Sequence, residues 1–110
     1  MDQSEQNALG QALDRMWAQF LPQMRERVAV LETAAKVFSA NQLTVAQQQE
    51  ANSAAHKLAG VLGTFGLTRG TVLAREVEMI YSRDGGPDRS LASRLSSIAV
   101  ELRALVESRK

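Results

Sequence analysis

The chain has 110 residues, enough for one domain with a single core and too few for two. Its 13 lysines and arginines against 12 acidic residues leave a net charge of +1, so no broad field draws it to nucleic acid or to an anionic membrane. It has no cysteine, which excludes disulfides, thiolate metal sites and cysteine nucleophiles, and its 1 histidine is too few for the usual zinc arrangements. No run of about 18 apolar residues occurs and the start MDQSEQN is polar, so neither a membrane span nor a signal peptide is expected, and the cytoplasm is the expected compartment.

Leu9, Leu13, Met16, Trp17 and Phe20 recur at helical spacing and predict a first helix over 6–20. Trp17 lies on that apolar stripe and reads as packing rather than as a ligand platform. Pro22 suits the first turn of a new helix, where its missing N–H would be unpaired anyway. A second helix is therefore expected over 22–40, with Met24, Val28, Leu31, Ala35 and Phe38 as its stripe. Thr44 followed by Gln47 has the form of a capping box and predicts a third helix over 45–65, whose Gln47, Gln48 and Gln49 read as a solvated face. Gly66 is expected to close that helix in a left-handed conformation and Thr68 to cap the next one, over 69–83, with Leu73, Val77, Ile80 and Tyr81 inward. The turn between them is tight, which implies antiparallel neighbours.

Asp84-Gly85-Gly86-Pro87-Asp88 is the strongest loop signal in the chain. Leu91, Leu95, Ile98, Leu102 and Leu105 then form a seam for a last helix over 88–108. No stretch alternates with period two over a useful length. The expected fold is all-α: one domain over 1–110, an antiparallel four-helix bundle with an additional N-terminal helix packed over one end. It is expected to be a monomer, because these stripes can be satisfied within one chain.

The third helix carries the histidine. At about 100° per residue, Ala51, Ala54, Leu58, Val61, Leu62 and Phe65 lie opposite His56 and form the buried face. Gln49, Asn52, Ser53, Gly60 and Gly63 surround His56, and none of them has a large apolar side chain, so the imidazole is expected to point into water. Two interior glycines cost a helix roughly 1 kcal/mol each relative to alanine. Set one and two turns beyond an exposed nucleophile on its own face, Gly60 and Gly63 read as clearance for a docking partner.

Other chemistry is largely excluded. Gly60, Gly63 and Gly66 lie inside or at the end of a helix, so they form no phosphate loop. Glu76 and Glu78, two apart on a helix, point in different directions and read as solvated or ion-paired side chains rather than as a carboxylate pair. Lys57, Arg69 and Arg75 lie in or just after the histidine region, where cations would favour a transiently bound phosphoryl group.

The segment Ala55-His56-Lys57-Leu58-Ala59-Gly60, continued by Gly63-Thr64-Phe65-Gly66-Leu67, resembles the histidine-containing phosphotransfer (HPt) domains of bacterial multistep phosphorelays. With the flanking helices counted, the resemblance covers nearly the whole chain. The common pattern of that family has a lysine three residues after the histidine; here that position is Ala59, and the lysine is Lys57. The resemblance implies that His56 accepts a phosphoryl group from a receiver-domain aspartyl phosphate and passes it to another receiver aspartate. Lys57, Gly60, Gly63, Asn52, Ser53 and Arg69 would support or dock. It implies a phosphocarrier without autokinase activity or a cofactor of its own, with Mg²⁺ supplied by the receiver, and response regulators or a hybrid histidine kinase as partners. Two rivals stand beside it. One is a docking module of degenerate HPt fold whose histidine is incidental. The other is the dimerisation helix pair of a histidine kinase, disfavoured by Lys57, since those kinases usually follow the histidine with an acidic residue, and by five expected helices.

Overall fold

The computed structural model describes residues 3–109, and among them there are four α-helices, one short 3₁₀ turn and no strand. Helix α1 spans Gln3–Ser39, α2 Val45–Thr64, α3 Thr68–Tyr81 and α4 Ala92–Ser108, the last preceded by a 3₁₀ turn at Arg89–Leu91. None of these helices is long and apolar enough to cross a membrane.

The two helices expected over 6–20 and 22–40 are one. Pro22 lies inside α1, which runs unbroken for 37 residues. Proline removes one backbone hydrogen bond and crowds the preceding turn, a penalty of about 3 kcal/mol in a helix interior. The buried stripe of Trp17, Met24, Val28, Leu31, Ala35 and Phe38 stays in helical register across it, however, and each large side chain so buried returns about 1.5–3 kcal/mol. Breaking the helix at Pro22 would turn part of that stripe out of the core. Among the described residues no separate helix therefore lies over the bundle end, and residues 3–11 are exposed along the start of α1.

α1 packs against α2 and α4, and α3 against α2 and α4, which closes a ring of four. Ion pairs fix the directions. Arg25 with Glu107 and Glu32 with Arg103 run antiparallel between α1 and α4, and Arg69 with Glu101 and Glu76 with Arg94 do so between α3 and α4. Hydrogen bonds from Arg25, Arg69 and Arg94 hold Glu107, Glu101 and Glu76 below the usual carboxylate range. Inside the ring, Met24, Leu58, Leu62, Leu73, Ile98 and Leu102 are fully buried. One end is closed by Trp17 and Phe20 of α1, both edge-on to Phe65, with the Arg109 guanidinium over the Trp17 and Phe65 rings.

The helix ends are set locally. The Thr44 hydroxyl accepts from Gln47 N–H while the Gln47 amide oxygen accepts from Thr44 N–H, which completes the capping box. Gly66 takes φ +75°, with Gly66 N–H donating to Gly63 O and Leu67 N–H to Leu62 O, the paired bonds of a Schellman end. Asn41, at φ 59°, ends α1 by the same pattern, and Arg89 donates to the carbonyls of Phe38 and Ser39. Thr68 does not cap α3: it is the first helical residue, and Leu67, which precedes it, makes no side-chain cap.

Candidate functional site: His56 on the α2–α3 face

The buried face of α2 is Ala51, Ala54, Ala55, Leu58, Ala59 and Leu62, extended by Phe65. This leaves the opposite face to Gln49, Ser53, His56, Lys57, Gly60 and Gly63, all exposed, with Asn52 half-buried. The His56 side chain is 73 % exposed.

Three α2 residues at four-residue spacing reach across to α3. Gln48 donates to the carbonyls of Tyr81 and Arg83, at 2.8 and 2.9 Å. Asn52 donates to Glu78 O at 2.7 Å. These carbonyls belong to the last turn of α3 and the residues just after it, where the helix supplies no N–H of its own, so α2 caps the end of α3 and locks the two in register. His56 is the third. Its Nδ1 lies 2.6 Å from Oε2 of Glu78, a side chain only 27 % exposed. An ionised carboxylate can only accept, so the proton of the neutral ring sits on Nδ1 and Nε2 carries the free lone pair.

The sequence reads Glu78 as a solvated or ion-paired side chain; in the structure its carboxylate is hydrogen-bonded to the histidine. The signal is the turn at Gly66, which folds α3 back along α2 and brings residues near 76–78 alongside position 56. The structure separates the basic candidates. Arg69 is bonded to Glu101 at 2.8 and 3.2 Å, on the side of α3 facing α4, so it is not brought to His56. Lys57 and Arg75 are exposed, and neither is in an ion pair with a described residue. Ala59, three residues after the histidine, is 3 % exposed, and its carbonyl accepts from the Thr71 hydroxyl at 3.1 Å.

The glycines differ as well. A Cβ built on Gly60 meets nothing within 4 Å, so no contact inside the molecule calls for glycine there. A Cβ on Gly63 would come within 3.3 Å of the Thr71 hydroxyl, so Gly63 also serves the α2–α3 contact. The tightest of these glycine positions is Gly70 on α3, where a Cβ would meet Leu62 Cδ1 at 2.9 Å.

The Hpt domain family matches residues 15–109, and the chain belongs to this family of phosphorelay phosphotransfer domains. It is also 41 % identical over 66 residues to Protein RcaC of Microchaete diplosiphon, a stretch that is 60 % of this chain and 10 % of the relative. The match thus spans about a tenth of that relative's length. No solved structure matches the chain.

Proposed function

We propose that His56 is the phosphoacceptor of a cytoplasmic phosphorelay carrier that takes a phosphoryl group from the aspartyl phosphate of one receiver domain and yields it to the aspartate of another. The observation that carries this reading is the His56 Nδ1 bond to Glu78, which leaves Nε2 as the nucleophile of a side chain 73 % exposed. Nε2 attacks phosphorus, the P–N bond forms as the P–O bond to the aspartate breaks, and the receiver carboxylate is regenerated. The ring gains positive charge as the bond forms, and Glu78 stabilises it at Nδ1, much as a buried aspartate supports a catalytic histidine. The reverse sequence discharges the group. The domain itself supplies neither nucleotide nor metal; the receiver contributes its acidic pocket and Mg²⁺.

Gly60 gives the receiver room to bring its aspartate within about 3–3.5 Å of the imidazole. Asn52 holds the register of α3, and Ser53 and Lys57 line the approach. Exposed Val45, Val72 and Met79 provide apolar surface on the same two helices for a protein partner. The chain acts as a monomer, and it is a carrier rather than a kinase. The test is incubation with a phosphorylated receiver. Acid-labile phosphate should appear on the wild-type chain and not on His56→Gln, whose melting temperature should be nearly unchanged because surface substitutions usually fall within about 0.5 kcal/mol. Label that persists in His56→Gln overturns the assignment.

A further inference from the structure

Glu78 creates an electrostatic problem for the site. It orients His56, yet its carboxylate, 2.6 Å from the ring, repels the phosphoryl group that the ring is proposed to accept. A protein-bound phosphoryl group carries about −1.5 to −2 charges near neutral pH. A neighbouring cation must offset this, and it must be one not already committed to a carboxylate. On and around α3, Arg69, Arg83 and Arg94 are paired with Glu101, Asp88 and Glu76, which leaves Arg75.

Its position follows from the contacts on either side of it. Thr71, Arg75 and Glu78 recur at spacings of four and three and so share one edge of α3. Thr71 reaches Ala59 O on α2, and Glu78 reaches His56. Arg75 lies between them on that edge and therefore runs alongside residues 56–60, beside the histidine and the open surface at Gly60. Lys57 is about 100° around α2 from His56 and has no such bracketing contacts. A guanidinium presents a planar fork that matches two phosphoryl oxygens, whereas an ammonium is a point charge.

We propose that Arg75 is the phosphoryl-binding residue of this site, donating N–H bonds to the oxygens of the group as it reaches His56 Nε2 and offsetting the charge of Glu78. The inference rests on the carrier reading. Arg75 exchanges no proton, and the bonds made and broken are those of the transfer itself.

The test uses the whole chain and phosphoramidate, a small donor that needs no docking surface: the P–N bond to His56 forms as the donor P–N bond breaks and ammonia leaves. Arg75→Gln should lower the maximal labelling rate about tenfold or more with the melting temperature unchanged, since Arg75 has no ion pair to lose among the described residues. Arg75→Lys should recover part of the rate. Labelling of wild type should fall with added salt more steeply than labelling of Arg75→Gln, because a charge interaction has been removed. Arg15→Gln removes the same charge from α1 and should label as wild type. Equal rates for Arg75→Gln and wild type overturn the proposal, as does a loss of rate that follows a loss of thermal stability and is not recovered by lysine. Wild-type protein that takes no label defeats the carrier reading and the role of Arg75 together, whereas labelled wild type with an unaffected Arg75→Gln defeats the role of Arg75 alone.

Discussion

His56 Nδ1 and Glu78 Oε2 lie 2.6 Å apart, joining an exposed side chain of α2 to a mostly buried one of α3. If this contact fixes the tautomer, Glu78→Ala should shift the imidazole ¹⁵N resonances toward the Nε2–H form and slow labelling of His56. A loss of order 10²-fold is in the range for correctly placed proton and charge partners. Glu78→Gln, whose amide oxygen can still accept, should lose less. The fold should tolerate both, because Glu78 bonds a side chain that is 73 % exposed and contacts this open to solvent contribute about 0–1 kcal/mol. An unchanged ¹⁵N spectrum in Glu78→Ala would mean that Glu78 does not set the tautomer.

The glycines should separate by what surrounds them. Gly60→Ala should stabilise the domain by up to about 1 kcal/mol, since helix propensity favours alanine and the space is open. Gly63→Ala should gain less, because Thr71 must give way while keeping its bond to Ala59. Gly70→Ala should destabilise, because the methyl meets the fully buried Leu62. Thermal denaturation of the three variants gives the order directly. Gly60→Gln should keep the fold and accept phosphate from phosphoramidate as before, yet slow transfer from a receiver.

These differences mark what the sequence carries and what it does not. The buried face from Ala51 to Phe65, the Thr44 cap and the Gly66 end depend on residues a few positions apart, so periodicity and local hydrogen bonding specify them. Pro22 misleads because its local penalty is outweighed by a buried stripe that runs across it, from Trp17 on one side to Phe38 on the other. Glu78, Gly70 and the diversion of Arg69 to Glu101 depend on how α3 lies against its neighbours, and adjacency in sequence says nothing of that.

The Thr44 capping box should be worth about 1 kcal/mol, the usual effect of replacing such a residue by alanine. Thr44→Ala should therefore lower the melting temperature without changing His56 labelling at low temperature. An unchanged melting temperature would mean that the start of α2 is held by packing alone.

Tyr81 is buried, and its hydroxyl has no hydrogen-bond partner among the described residues. Burial pushes the phenol up to about 12, from an ordinary value near 10. Its contribution to stability is fully present below pH of about 10. Above that the unfolded chain ionises while the folded one does not, so stability falls as pH rises toward about 12. The protein has 1 tyrosine, so an ultraviolet titration of phenolate reads it alone. Ionisation near 10 in the folded protein would contradict this burial.

Carriage of a phosphoryl group by His56 from one receiver to another is measured by a chase. The domain is labelled from one phosphorylated receiver, separated from it, and presented to a second, unphosphorylated receiver with Mg²⁺. Label should leave the peptide containing His56 and appear on the second receiver faster than it is lost to water in the receiver's absence. Loss at the same rate with and without the second receiver, or failure of wild-type protein to load at all, would contradict carriage by His56.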